Sequence, residues 1–290
     1  VVATLEFVWG KDKETGKFHE FLVHVGGSDA GRCRLQFAVA LAARLEARLT
    51  GLHFTPSAQV PPLYKPSRIA AVAAEISARL AIDAHSAARI FREETAQRLP
   101  DAAWIEAAGD MVTGINDAAR YADLVILGQY ESQGSPETNP LPVAHSVVSH
   151  CGRPVLVLPA MVELGSLARI ALAWDGGREA VRAVHDALPL LRLVQSVQIV
   201  TVTEPSAEDG TVGARRLSAH LATHGISVAT EALELRNADE NGSLHWQIEQ
   251  GHYDLVVMGG YPHPMWLEFI FGGATHSILL SSKIPIFVSH

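Results

Sequence analysis

The segment Gly259-Gly-Tyr-Pro-His-Pro-Met-Trp-Leu-Glu-Phe-Ile-Phe-Gly-Gly-Ala-Thr275 carries the most chemical content in the chain. It leaves an aliphatic run, crosses a loop and reaches Gly272-Gly273, where a helix is expected to begin. Glycines at such a point let backbone N–H groups converge on an anion, and the helix start adds the positive end of its dipole. The chemistry suggested is phosphate recognition. The plain alternative is a tight turn whose glycines serve packing. Other constellations carry less. Gly26-Gly-Ser-Asp-Ala30 has the outline of a nucleophile elbow but ends in alanine, so a strand-to-helix turn capped by Ser28 or Asp29 is the expectation. No glycine cluster runs into Gly-Lys-Ser/Thr, which excludes a Walker loop. His220 and His224 stand at the i, i+4 spacing that puts two imidazoles on one helix face. Without a metalloprotease glutamate they read as a solvated face ending at Gly225, and no metal site is predicted. Cys33 and Cys151 are the only cysteines, too few for a disulfide framework or a thiolate zinc site, and both read as buried thiols.

These residues sit in a chain that repeats itself. Asp123-Leu-Val-Ile-Leu-Gly128 recurs as Asp254-Leu-Val-Val-Met-Gly259, an offset of 254 − 123 = 131, and Pro154 recurs as Pro285 at the same offset. Upstream, Phe21 to Ser28 resembles Ile170 to Gly177 at an offset of 149, so the first copy holds 149 − 131 = 18 extra residues. The proline-rich stretch Thr55 to Arg68 is their expected place. Two modules follow, 20–160 and 166–290, joined through Val162 to Ser166 and preceded by an N-terminal arm, residues 1–19, expected as a hairpin.

Within each module, short aliphatic runs bounded by Gly, Pro or Asp alternate with helical patterns, as buried parallel strands and their crossovers do. The strands are expected at Leu22 to Val25, Leu49 to Phe54, Ala103 to Ala107, Leu124 to Leu127 and Val155 to Leu158. In the second module they are expected at Ile170 to Trp174, Val197 to Val202, Val228 to Leu233, Leu255 to Met258 and Ile286 to Val288. Leu35, Ala38, Ala42, Leu45 and Leu49 have helical spacing, as do Ile69, Val72, Ile76 and Leu80. The predicted fold class is α/β: two tandem open parallel five-stranded sheets with flanking helices, related by a pseudo-two-fold axis. The apolar last strands of the two modules are expected to pair antiparallel with each other, since bare edges invite association. Such sheets bind ligands beyond the carboxyl ends of their strands, where the strand order reverses.

The loop from Gly259, placed between Asp-Leu-Val-Val-Met and a terminal Pro-Ile-Phe-Val strand, resembles the nucleotide loop of the universal stress proteins. That pattern is Gly, two residues, Gly, nine residues, then Gly followed by a small or hydroxyl residue. Trp174-Asp-Gly-Gly177 is similar to the family's Asp-Gly-Ser. The resemblance spans about residues 20–290 and implies a tandem universal stress protein of the adenine nucleotide alpha hydrolase-like fold. It implies an ATP or AMP site in the second module only, formed by Ala173, Asp175, Val202, Met258, Gly259, Gly272, Gly273, Ala274 and Thr275. Asp175 would bind the ribose and Val202 would line the adenine pocket. Pro262 stands at the family's second glycine and removes a backbone donor. Losing one charge-assisted hydrogen bond would weaken phosphate binding by roughly 1.5–3 kcal/mol. In the first module Gly26 replaces the aspartate and Gly128 to Pro142 lacks the loop spacing, so that module is expected to be degenerate and empty.

Three functions remain open from the residues. One is a non-catalytic stress-response module binding adenine nucleotide, one a slow ATP hydrolase using Asp175 or a nearby histidine, and one an interaction scaffold with no small-molecule ligand. The net charge of −8 argues against nucleic acid as partner. No apolar run reaches membrane-span length and the first residues lack a signal peptide's pattern, so a cytoplasmic monomer or homodimer is expected.

Overall fold

The computed structural model of the chain describes residues 18–55, 66–129, 143–162, 167–202, 210–235, 251–260 and 282–290. The arm expected as a hairpin over residues 1–19 lies outside them apart from Phe18 and His19, as does the connection Val162 to Ser166 apart from Val162. Strands form at the ten predicted runs, each within two residues of its expected bounds. They are β1 (Glu20–His24), β2 (Arg48–Thr55), β3 (Ala103–Ala108), β4 (Leu124–Gly128), β5 (Val155–Leu158), β6 (Arg169–Trp174), β7 (Ser196–Val202), β8 (Val228–Leu235), β9 (Leu255–Gly259) and β10 (Ile286–Ser289). The described helices are α1 (Asp29–Leu45), α2 (Pro66–Thr95), α3 (Met111–Ala119), α4 (Val143–His150), α5 (Arg178–Leu191) and α6 (Gly210–Thr223).

The chain divides into two compact units, the first built on Phe18–Glu163 and the second on Leu164–Ile278 with Ile284–Ser289. In the first, the strand order is β3-β2-β1-β4-β5 and every pairing is parallel. Phe21, Val23, Leu124, Ile126 and Val155 are fully buried on the two central strands and their neighbour, as strands covered on both faces must be. In the second, the order is β8-β7-β6-β9-β10, again parallel throughout. Ile170, Leu172, Leu255 and Phe287 fill its core. Strand order reverses between β1 and β4 in one unit and between β6 and β9 in the other. Each reversal opens a crevice at the carboxyl ends of those strands.

A repeated carboxylate fixes the register at each reversal. Asp123 Oδ2 accepts hydrogen bonds from the backbone N–H groups of His19, at 2.7 Å, and Glu20, at 3.1 Å. Asp254 Oδ2 accepts from Ala168 and Arg169, at 2.7 and 2.8 Å. Both aspartates also donate their backbone N–H to the first strand, Asp123 to Glu20 O and Asp254 to Arg169 O. The half-buried acids thus tie the start of the fourth strand of each unit to the start of its first. The aspartates that made the internal repeat visible are these clamps.

Two sequence expectations change. Leu49 does not extend α1: that helix stops at Leu45 because Glu46 turns left-handed (φ 55°), and Leu49 is a core residue of β2. The extra residues of the first copy mostly lengthen a helix instead of a loop. α2 has 30 residues where α6 has 14, and it already includes Pro66 to Arg68. Proline is accommodated in the first turn, where its missing N–H has no intrahelical acceptor to lose. The apolar stripe starting at Ile69 is helical as predicted but Ile69 is 43% exposed, and α2 packs through Ala87, Ile90 and Phe91 near its other end.

Candidate functional site

In the second unit β6 ends in Ala173 and Trp174, and Asp175-Gly176-Gly177 turns the chain into α5. Gly176 takes φ +77°, a conformation that costs glycine no β-carbon clash. Asp175 is exposed, and its Oδ1 accepts the backbone N–H of Gly177 at 2.7 Å, the N-cap residue of α5. Ala173 and Met258 are buried, at the ends of β6 and β9. Gly259 lies directly beneath the helix start: a β-carbon there would stand 2.6 Å from the backbone N of Ala180. Its glycine is therefore required by the close approach of α5, independently of any ligand. Val202 ends β7 in register with Leu235. The structure thus brings Ala173, Asp175, Met258 and Gly259 to the carboxyl ends of neighbouring strands β6 and β9. Gly272, Gly273, Ala274, Thr275 and Pro262 lie outside the described residues.

Trp174 was not among the predicted site residues. It is half-buried, and its Nε1 would lie 3.4 Å from a β-carbon on Gly213 of α6. Its signal in the sequence was a large aromatic where the first copy has Val25.

The first unit fills the same crevice with its own polar groups. Ser28 caps α1, its side chain accepting the Gly31 N–H at 3.1 Å, which is the turn the sequence predicted. The Gly27 N–H is taken by Asp83 Oδ1 of α2 at 3.0 Å. Arg34, buried at 6% exposure, donates from Nε to the carbonyl of His24 at 2.8 Å. Its guanidinium covers Gly128, where a β-carbon would overlap Nη1. Buried His53 donates from Nδ1 to the Val25 carbonyl at 2.8 Å and stacks on Trp104, ring centroids 6.4 Å apart. Burial, then the Arg34 charge, then His53 hold the His24 imidazole down at a pKa of about 3, so it is neutral across the physiological range.

Counted by the repeat offsets, His24, Gly26 and Arg34 stand where the second unit has Ala173, Asp175 and Ala183. Sequence reasoning singled out the Gly26 exchange and missed the other two. An arginine beside the apolar positions Leu35 and Ala38 of one copy, against alanine in the other, was the available signal. Among the described residues no helix is long and apolar enough to cross a membrane.

A model of the universal stress protein family matches residues 17–159. No curated protein matches the chain. A universal stress protein from Archaeoglobus fulgidus DSM 4304 is 17% identical, with a TM-score of 0.67 over 93% of this chain and 95% of that one. A candidate universal stress protein from Pseudomonas aeruginosa UCBPP-PA14 is 14% identical, with a TM-score of 0.51 over 96% and 95%. A universal stress protein solved in complex with cAMP is 19% identical over 49% of this chain and 98% of that one, with a TM-score of 0.32. The fold is therefore the α/β architecture of the universal stress proteins, a parallel multi-stranded sheet with flanking helices. The family match falls on the unit whose loop departs further from the nucleotide pattern.

Proposed function

We propose that the chain is a tandem universal stress protein, a non-catalytic stress-response module that binds an adenine nucleotide in its second unit and none in its first. The observation that carries this reading is the exchange of side chains at one crevice. Arg34, His24 and Asp83 take up its hydrogen bonds in the first unit, whereas the repeat offsets put two buried alanines, Ala173 and Ala183, and the exposed carboxylate of Asp175 at the corresponding positions of the second. A carboxylate at a strand end suits a pair of ribose hydroxyls, which donate where Asp175 accepts. The ligand set proposed is Ala173, Asp175, Val202, Met258 and Gly259 with Gly272, Gly273, Ala274 and Thr275.

Phosphate recognition is expected to be weak. The Gly177 N–H is already taken by Asp175, and Glu179 adds a second carboxylate in the first turn of α5. Both compete with an anion for the helix start. Calorimetric titration with AMP and ATP tests the reading. One equivalent is expected, with similar affinities for the two nucleotides, a loss of about tenfold or more for Asp175→Ala, corresponding to about 1.4 kcal/mol, and no change for Gly26→Ala. No heat from wild type, or silent Asp175→Ala, would leave the scaffold reading in its place. Phosphate release from ATP above that of Asp175→Ala would overturn the non-catalytic part.

A further inference from the structure

We propose that the second unit carries a surface site for a divalent transition-metal ion, built from His185, His220 and His224. The sequence showed only the pair His220 and His224, one turn apart at the end of α6. The fold adds His185 from the middle of α5. Ring centroids are 4.9 Å apart for His220 and His224, 5.2 Å for His185 and His220, and 6.1 Å for His185 and His224. Imidazole binds Zn²⁺ at about 2.0–2.1 Å through nitrogen, which puts ring centroids around a tetrahedral ion about 5 Å apart. The observed spacing is that of a three-imidazole set to within about 1 Å.

The ligand type narrows the occupant. Three imidazoles with no carboxylate or thiolate in the cluster favour Zn²⁺, Cu²⁺ or Ni²⁺ over Mg²⁺ or Ca²⁺, which demand oxygen ligands. His185 and His220 are exposed and His224 is half-buried, so an ion reaches the cluster from solvent and its fourth position is left to water. In the rotamers of the structure no three His, Cys, Asp or Glu groups among the described residues are arranged as a metal site. Occupancy therefore requires the rings to turn about their side-chain torsions, which exposed side chains do in nanoseconds. The ring centroids already stand close to that spacing, so what must change is the direction in which the ring nitrogens point. The nearby charges are Arg182 and Asp186 of α5, paired with each other at 3.6 Å, and Arg216 one turn before His220. A bound ion would clip α5 to α6.

Titration of the full chain with ZnCl₂ tests this, comparing wild type, each single histidine-to-alanine variant, and the triple variant. One equivalent present in wild type and missing in the triple variant is expected, with each single variant weakened at least about tenfold. Co²⁺ should give visible d–d absorption in wild type that is reduced in the triple variant. Circular dichroism of the metal-free variants, expected to match wild type, separates ligand loss from misfolding. Equal stoichiometry and affinity in wild type and triple variant would overturn the proposal. So would a silent His185→Ala beside a damaging His220→Ala, which would leave only the two-histidine helix face.

Discussion

The two units share a strand order and a clamp but treat the crevice at their strand reversal in opposite ways. In the first, a guanidinium covers Gly128, a carboxylate from α2 takes the turn's N–H, and a neutral imidazole ends β1. In the second, the same stations hold alanines and an exposed aspartate. The scaffold's hydrogen bonds are conserved between copies because a parallel sheet cannot form without them. The crevice lining is free to diverge, because side chains beyond the strand ends carry little of the register. The longer α2 makes the difference concrete, since it supplies Asp83.

The sharpest break of this comparison is acidification. His24 has a folded pKa near 3 against 6.5 unfolded, so between these values the unfolded chain binds more protons than the folded one. Stability is therefore expected to fall as pH drops from about 6.5 toward 3, by up to about 1.4 kcal/mol per pH unit, and to show no His24 dependence above that window. His24→Ala, the residue of the second unit, should flatten this acid slope in urea unfolding measured at pH 7, 5 and 4. An unchanged slope would mean that His24 is not held neutral by its surroundings.

The clamps come next. Asp123→Ala and Asp254→Ala each leave two backbone N–H groups without their carboxylate and are expected to cost about 2–3 kcal/mol apiece. Chemical denaturation reads both, and a difference above about 1 kcal/mol between them would show that the repeat is not energetically equivalent.

Arg34→Ala, which mimics Ala183, removes the charge that helps depress His24. The His24 pKa is then expected to rise from about 3, followed by NMR titration of its ring protons, while staying below 6.5 because burial is the larger cause. No movement would assign the depression to burial and His53 alone.

The smallest effect belongs to the exposed part of α2. Ala74→Gly should cost about 0.5–1 kcal/mol, a helix-propensity change with no packing loss. A larger loss would mean that this stretch buries more than its exposure indicates.

The ten strands and the α/β class were legible because aliphatic runs of four to eight residues between Gly, Pro and Asp leave few other structures for a chain of this length. The repeat was legible because Asp123 and Asp254 hold the same hydrogen bonds, and backbone geometry permits few substitutes there. Ser28 as a cap and Asp175 at a turn were legible for the same local reason. The end of α1 was not, since Leu35 to Leu49 keeps helical spacing through a left-handed Glu46 that only tertiary packing of Leu49 into β2 explains. Nor was the place of the extra residues, because an alanine-rich stretch reads equally as loop extension or as about four more helical turns. Contacts between elements distant in sequence were invisible: Arg34 over Gly128, Asp83 on Gly27, and His185 beside His220 and His224. Sequence by itself determined what each element is, through periodicity and turn chemistry acting over a few residues. The tertiary structure decided which side chains meet at the strand reversals, because that depends on helix length and register summed over a whole unit.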